Sequence, residues 1–328
     1  MLEEIIRVEN LVKIFPVIQR GIFGSRQTEE IKAVNNISFS IRRGETLGLV
    51  GESGCGKSTT ARTMLHLTRS TSGSVFFEDN DILERFRSSS KEDILQIRRK
   101  LQYVFQDPYL SLNPRWSIEE TLLEPFRVHQ HLPQSKWKDR MLELLELVGL
   151  EEYHAWRYPH EFSGGQRQRV GIARALAVDP KFLILDEPVS SLDVSVRANI
   201  LNLLLELQEK LGLTYLYISH DLSSVRFISN RVAVMYLGKI VELSDVDDLF
   251  NQPFHHYTFA LLSAIPVPDP SGKQVLSVLK GEVPSVMNPP SGCHFHPRCQ
   301  AALPECSQIT PVLEDKGGGH FVACINPR

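Results

Sequence analysis

Two glycine-rich motifs in this chain have the residue types and spacing that bind phosphate. The first is GESGCGKS, at Gly51–Ser58. Glycines at this spacing allow a tight turn whose backbone N–H groups face phosphate oxygens at the positive end of the following helix, while Lys57 adds charge and Ser58 a hydroxyl for Mg²⁺. The alternative is a strand-to-helix turn without a ligand. The flanking sequences favour a phosphate-binding loop, because ETLGLV predicts a buried strand and STTARTMLHL predicts a helix.

The second motif, FSGGQ at Phe162–Gln166, precedes a predicted helix, QRQRVGIARALAV. The free amides and the dipole of such a helix start can bind a phosphate group. The competing interpretation is an ordinary serine-capped helix. The phosphate loop alone is compatible with many phosphate-binding proteins, and the presence of this second motif reduces the number of candidate classes.

A third segment, FLILDEP, predicts a buried strand that ends in two carboxylates, Asp186 and Glu187. Alone it is equally well an acidic strand end at a helix start. Downstream of a phosphate loop it indicates nucleotide hydrolysis, because Mg²⁺ needs hard oxygen ligands and an attacking water needs a base.

Composition and patterning indicate how these motifs are positioned. The 328 residues are 42% hydrophobic and suffice for two domains, and 36 Lys and Arg against 39 Asp and Glu give no basic excess that would predict nucleic acid as partner. Strands alternate with helices, which predicts a mainly parallel sheet, and a helical insertion follows Gln106. The polar stretch VIQRGIFGSRQTEE predicts a loop, and IPVPDPSG predicts a linker to a separate carboxy-terminal module.

The chain resembles the nucleotide-binding subunits of ATP-binding-cassette (ABC) transporters. The motifs occur in that family's order: the phosphate loop, Gln106 in YVFQDP, the signature Ser163–Gln166, Asp186–Glu187, SSLD at Ser190–Asp193, and His220 in ISHD. The resemblance implies an α/β fold with a RecA-like core sheet, an antiparallel β subdomain and a helical subdomain at about 107–180. We expect the nucleotide-binding domain at 1–250 and a small loop-rich domain at 251–328.

The resemblance also implies roles for individual residues. Gln106, Asp186 and Ser58 would hold Mg²⁺, and Gln106 would also sense the membrane partner. Glu187 would polarise the attacking water, and His220 would contact the γ-phosphate. The implied ATP-binding residues are Phe15, Ser53, Gly54, Cys55, Gly56, Lys57, Ser58 and Thr59. Phe15 would stack on adenine, although a core aromatic at a strand end is the alternative.

In this family the signature faces the nucleotide of the opposite subunit, so one chain supplies two half-sites. Ser163, Gly164, Gly165 and Gln166 would therefore bind ATP in trans. Two positions depart from the family pattern. Phe162 replaces the more usual leucine, which apolar packing should tolerate. Cys55 lies inside the phosphate loop, where we expect it to be inert, although oxidation there could block ATP.

The carboxy-terminal region, with HPRC at His296–Cys299, resembles the extension of oligopeptide and dipeptide importer ATPases. Some members of that subfamily hold a 4Fe–4S cluster, which Cys293, Cys299, Cys306 and Cys324 would bind here. Structural zinc and unliganded or partly disulfide-linked thiols are the alternatives. His294, His296 and His320 could substitute as ligands, or serve simply as loop histidines.

The expected function is ATP-driven import of dipeptides or oligopeptides. The expected partners are a second ATPase subunit, identical or paralogous, two permease subunits, and indirectly an extracytoplasmic binding protein. The amino terminus has no secretory pattern and no stretch spans a bilayer, so we expect a cytoplasmic protein peripheral to the inner face of the membrane. The loop Asp107–Trp116 is the candidate surface for the membrane subunit.

Three alternatives stay open. The same machine could import nickel or oligosaccharides. The second is a soluble cassette ATPase acting on DNA or ribosomes; such proteins usually have paired cassettes in one chain or long coiled-coil insertions, and neither appears in this sequence. A metal-binding regulator with an inactive cassette is disfavoured by the intact Lys57, Glu187 and His220.

Overall fold

The computed structural model of the chain describes residues 3–20, 26–264 and 281–328. Within these ranges, no helix combines the length and apolar character needed to cross a membrane. The linker predicted at IPVPDPSG lies outside the described residues.

The described elements confirm an α/β chain. The strands are β1 (Glu4–Arg20), β2 (Arg26–Arg42), β3 (Thr46–Val50), β4 (Ser72–Phe77), β5 (Asn80–Asp81), β6 (Leu101–Val104), β7 (Phe182–Asp186), β8 (Thr214–Ser219), β9 (Arg231–Tyr236), β10 (Lys239–Asp245), β11 (Glu314–Asp315) and β12 (Phe321–Val322). The helices are α1 (Lys57–Met64), α2 (Ile82–Ser88), α3 (Lys91–Lys100), α4 (Pro108–Ser111), α5 (Ile118–His129), α6 (Trp137–Leu147), α7 (Gly164–Leu176), α8 (Val194–Leu211), α9 (Leu222–Ile228), α10 (Val246–Asn251) and α11 (His256–Ser263).

The chain divides into two compact units. The first comprises Met1–Glu3, Ile41–Thr46 and Glu84–Ser219. Its strands β6, β7 and β8 are parallel, with Leu101 opposite Phe182 and Phe182 opposite Thr214. Strand β7 is buried along its whole length, as its run of apolar residues requires of a central parallel strand.

Helices α4 to α7 fall where the sequence predicts a helical insertion. Ser117 and Glu120 form a reciprocal capping box at the start of α5, which satisfies two amides that the first turn leaves unpaired. Leu122 and Phe126 are fully buried on α5, and this helix contacts α7. An amphipathic helix thus gains its stability here from packing rather than from propensity.

The second unit comprises Glu4–Ser40, Leu47–Leu83 and His220–Arg328. In it β3 pairs with β9 in parallel, while β10 pairs antiparallel with β9 and β12, and β12 with β11. A second sheet has the strand order β2, β1, β4, β5. The carboxy-terminal strands therefore continue the sheet that carries β3.

The prediction of a loop at VIQRGIFGSRQTEE is largely wrong. Strand β1 continues to Arg20 and β2 begins at Arg26, which leaves residues 21–25 outside the described part of the chain. Strands β1 and β2 are hydrogen-bonded neighbours, and the polar side chains that suggested a loop do not prevent main-chain pairing of this kind.

A buried carboxylate, Glu242 of β10, links three segments of the second unit. It is fully buried and accepts hydrogen bonds from the backbone N–H groups of Phe254 (2.6 Å) and His255 (3.0 Å). The Nε2 atom of His320, just before β12, lies 2.7 Å from Glu242 Oε1. Each buried polar partner would lose its hydrogen bond if this carboxylate were removed.

We expect Glu242→Ala to lower the free energy of unfolding by about 3 kcal/mol, because it leaves buried donors unpaired. The midpoint of urea unfolding measures the change. The matched control is Glu314→Ala, at an exposed glutamate paired with Lys316, which should cost less than about 0.5 kcal/mol. Equal losses in the two variants would contradict the role given to the Glu242 network.

Candidate nucleotide site

The phosphate loop connects β3 to α1 along a path that only glycine permits at two positions. A Cβ atom at Gly51 would collide with the carbonyl oxygen of Met235 in β9. Gly56 has φ +113°, and a Cβ there would collide with the carbonyl oxygen of Ala33. Both the conformation and the close approach therefore require residues without a side chain.

Lys57 is buried at the first position of α1. Its Nζ atom donates to the carbonyl oxygens of Gly51 (2.7 Å) and Glu52 (3.1 Å), so the loop closes around the ammonium group. Ser53 and Gly54 are exposed, and Ser58 and Thr59 are partly exposed. The loop thus combines a cation, hydroxyls and a helix start in one concave segment, as phosphate binding requires.

Cys55 points into this packed loop rather than toward solvent. It is buried, and burial raises the pKa of its thiol, although the neighbouring Lys57 acts in the opposite direction. Because the thiolate is the reactive form, a raised pKa disfavours oxidation of this cysteine.

Gln106 and Glu187 meet at the carboxyl ends of two paired strands. Val104 lies opposite Leu185 in the parallel β6–β7 register, and the chain continues two residues beyond each of them to Gln106 and Glu187. The amide Nε2 of Gln106 donates to the Glu187 carboxylate over 2.9 Å. Glu187 has φ +47°, a left-handed conformation that costs energy in a non-glycine residue and that tends to occur at functional sites.

Asp186 is buried at the end of β7, and the hydroxyl of Tyr103 donates a hydrogen bond to its Oδ2 atom. Tyr103 lies opposite Ile184, two residues before Asp186, so the side chains of Tyr103 and Asp186 share one face of the sheet. Sequence reasoning missed Tyr103. The signal available was its place three residues before Gln106 on a strand that pairs with β7.

The signature segment begins helix α7 with a complete capping box. Ser163 is the N-cap residue. Its Oγ atom accepts a hydrogen bond from the backbone N–H of Gln166 (3.3 Å), and Gln166 Oε1 accepts one from the backbone N–H of Ser163 (3.1 Å). A Cβ atom at Gly165 would collide with the Val196 side chain, and one at Gly164 would lie 3.1 Å from a Leu192 methyl group. Phe162 is buried, as expected for an apolar replacement of leucine. Ser163 itself is exposed and accessible to a ligand.

His220 and Phe15 belong to the second unit. His220 is exposed and directly follows β8, and Phe15 on β1 is 36% exposed. The ammonium group of Lys13 lies 4.5 Å from the centre of the Phe15 ring. This exposure is unlike that of a core aromatic, and stacking on adenine stays a prediction.

The four carboxy-terminal cysteines line one small cavity together with His255, His256 and His296. All four thiols are free, and burial raises the pKa values of Cys293, Cys299 and Cys324, the last to about 11. The other cysteines of the group raise these pKa values further, because like charges in proximity disfavour ionisation. The donor set therefore suits a thiolate-bound group whose positive charge would reverse this effect.

In the described part of the chain, no three His, Cys, Asp or Glu side chains are arranged to hold a metal ion. The structure brings the four thiols to one cavity without giving them a ligand geometry. The three histidines named as substitutes have other contacts: Nδ1 of His294 lies near Leu237 O, Nδ1 of His296 near Cys293 O, and Nε2 of His320 on Glu242. They fit the interpretation as loop histidines.

Comparison with known proteins agrees with this arrangement. The family model for ABC transporters matches residues 34–190, and that for the carboxy-terminal region of oligopeptide/dipeptide transporters matches residues 241–306. The oligopeptide transport ATP-binding protein AppF of Bacillus subtilis is 50% identical over 98% of this chain and 97% of its own. A probable peptide ABC transporter ATP-binding protein of Sinorhizobium fredii is 49% identical over 99% of this chain and 90% of its own.

Solved structures show the same fold. The protein cbiO1 of Clostridium perfringens, part of an ABC transporter complex, matches with a TM-score of 0.62 and 29% identity, over 76% of this chain and 91% of its own. A dimeric ATP-binding cassette bound to ADP and phosphate matches with a TM-score of 0.63 and 30% identity, over 74% of this chain and 98% of its own. The chain belongs to the ABC transporter ATPases, in the branch that carries the oligopeptide/dipeptide transporter carboxy-terminal region.

The Tyr103–Asp186 hydrogen bond generates a prediction. Tyr103→Phe removes the donor that orients Asp186. If Asp186 holds Mg²⁺, we expect a roughly tenfold loss of ATPase activity with a higher Mg²⁺ requirement, since groups that orient a metal ligand have effects of this size. Steady-state phosphate release across a Mg²⁺ titration measures both. The control is Tyr215→Phe on β8, whose hydroxyl donates to Leu204 O and should not affect the Mg²⁺ requirement. Equal Mg²⁺ requirements in the two variants would exclude this role.

Proposed function

We propose that this chain is the ATP-hydrolysing subunit that powers import of dipeptides or oligopeptides through a membrane permease. The observation that carries hydrolysis is the Gln106 amide held on the Glu187 carboxylate at the ends of paired strands. The observation that carries the substrate class is the oligopeptide/dipeptide-type region at residues 241–306, together with relatives described as peptide transport ATP-binding proteins.

The proposed roles follow the chemistry of each side chain. Lys57 and the amides of Gly54–Thr59 bind the phosphates, Ser53 approaches the γ-phosphate, and Phe15 stacks on adenine. Ser58, Asp186 and Gln106 hold Mg²⁺, which neutralises charge on the phosphates when bound. Glu187 polarises the attacking water, and His220 contacts the γ-phosphate. This division suits phosphoryl transfer, in which positioning and electrostatics supply most of the catalysis.

The signature segment acts on the nucleotide of a second subunit, identical or paralogous. The exposed Ser163 at the start of a capped helix supports this role, because such a start favours an anion. Two subunits bind ATP at their interface, close, hydrolyse it and reopen. Closure drives transport through two permease subunits, which receive their substrate from an extracytoplasmic binding protein. The chain works at the inner face of the membrane, and the segment Asp107–Trp116 contacts the permease. The 54% exposure of Tyr109 in this segment supports that role.

Glu187→Gln tests the proposed hydrolysis. We expect turnover to fall at least about a hundredfold, since a general base contributes 10²–10⁴-fold, while ATP-dependent pairing persists. Phosphate release and light scattering with ATP measure the two effects. Glu209→Gln, at an exposed position on α8, is the control and should change neither. Undiminished hydrolysis by Glu187→Gln would remove this residue as the base.

For the carboxy-terminal region we propose a 4Fe–4S cluster bound by Cys293, Cys299, Cys306 and Cys324. Four thiols on one cavity are the usual ligand complement for such a cluster. When bound, the cluster would join segments that are otherwise loop-rich, and it would stabilise a region with little core of its own. Zinc is the alternative occupant of the same thiols.

Metal analysis decides between these occupants. Anaerobically purified protein should be brown, with broad visible absorbance and about four iron atoms per chain. Cys299→Ser should lower the iron content, whereas Cys55→Ser, outside the cavity, should not. A colourless sample with stoichiometric zinc would reverse the assignment.

A further inference from the structure

A two-pronged ion pair connects the phosphate loop to the carboxy-terminal region. Nη1 of Arg298 donates to Glu52 Oε2 over 2.7 Å, and Nη2 donates to Glu52 Oε1 over 3.1 Å. The side chains are 6% and 23% exposed, so water screens this pair weakly. Nothing in the roles assigned so far uses either residue.

The elements around Arg298 keep its guanidinium group in place. Arg298 ends a short 3₁₀ helix, His296–Arg298, directly before Cys299. The ring of Phe295, just ahead of that helix, packs on Tyr236 and Tyr257 with centroid distances of 5.4 and 5.3 Å. Nη1 of Arg298 also lies 3.5 Å from the Tyr236 hydroxyl. The packed rings of Phe295, Tyr236 and Tyr257 therefore hold Arg298 beside the loop.

The same aromatic group holds the backbone of the loop. The hydroxyl of Tyr257 accepts a hydrogen bond from the Glu52 amide over 2.9 Å. The Glu52 carbonyl oxygen in turn accepts from Lys57 Nζ. Glu52 is thus fixed at its backbone N–H, its carbonyl oxygen and its carboxylate, and Arg298 makes the last of these contacts.

Glu52 places a negative charge in a loop that must accept a polyanion. An unpaired carboxylate at this position would repel a triphosphate, and the low exposure of the pair would make that repulsion strong. The planar fork of arginine neutralises the carboxylate and fixes its direction.

We propose that Arg298 is a positioning residue for ATP binding, which neutralises Glu52 and holds the phosphate loop in its binding conformation. The carboxy-terminal region thereby adjusts the nucleotide affinity of the cassette. The inference rests on the proposed assignment of this loop to ATP, and it adds a residue that lies far from the loop in sequence.

Binding of a fluorescent ATP analogue to the full chain, followed by anisotropy, tests the proposal. Arg298→Ala should raise the dissociation constant roughly tenfold, the size expected for coupling between two sites. Adding Glu52→Gln to that variant should restore most of the affinity, because the unpaired charge is gone. Arg298→Lys, which keeps the charge but loses the fork, should bind with intermediate affinity.

Two controls distinguish a failure of this proposal from a failure of the assignment of the loop to ATP. Arg43→Ala removes a two-pronged pair with Glu3 within the first unit, and it should leave the affinity unchanged. Lys57→Ala should bind at least tenfold more weakly if the loop holds ATP, since it deletes the buried cation. Wild-type affinity in Lys57→Ala would overturn the assignment of the loop, whatever Arg298→Ala does.

Affinity unchanged by Arg298→Ala would overturn the proposal, and so would a loss that Glu52→Gln does not restore, because the residue would then be merely structural. Melting temperatures identify variants that fail to fold. If Arg298→Ala is one of them, Arg298→Gln provides the same comparison with a side chain of similar length. A rescue of Arg298→Gln by Glu52→Gln would then support the proposal, and its absence would refute it.

Discussion

The path of the phosphate loop is the constraint on which the nucleotide site depends. Carbonyl oxygens of Met235 and Ala33 would lie only 2.1 and 2.2 Å from Cβ atoms at Gly51 and Gly56, and the Lys57 ammonium group fills the loop from inside. The loop therefore has little freedom to move without breaking contacts with β9. A site of this kind is preorganised for an anion, and preorganisation reduces the cost of ordering when the ligand binds.

The carboxylates of the first unit obey a different constraint, the parallel register of β6 and β7. Register places Gln106 beside Glu187 and puts Tyr103 on the same face as Asp186. Glu187 adopts its left-handed conformation while its amide donates to Ile218 O on β8. The strain is thus offset by main-chain pairing in a fully buried strand, so a rigid scaffold holds an energetically unfavourable residue at the edge where the chemistry would occur.

The carboxy-terminal region is integrated with the second unit. Strand β12 extends the sheet at β10, Glu242 binds segments on both sides, and Arg298 reaches the phosphate loop. This region consists of short strands and 3₁₀ turns, and such polar contacts and, in our proposal, a cluster contribute to its order. The phosphate loop and the cysteine cavity therefore belong to one unit, and Arg298, directly before Cys299, connects them through its ion pair with Glu52.

The sequence by itself determined the local features. The glycine loop and the capped start of α7 follow from backbone sterics and capping, which act within a few residues. Three contacts could be seen only in the folded chain: the Tyr103–Asp186 hydrogen bond, the Glu242 network, and the Glu52–Arg298 pair, whose partners lie 246 residues apart. The tertiary structure also extended β1 to Arg20, against the polar pattern. The reason is physical: these contacts depend on register and on packing between distant segments, and no periodicity along the chain encodes either.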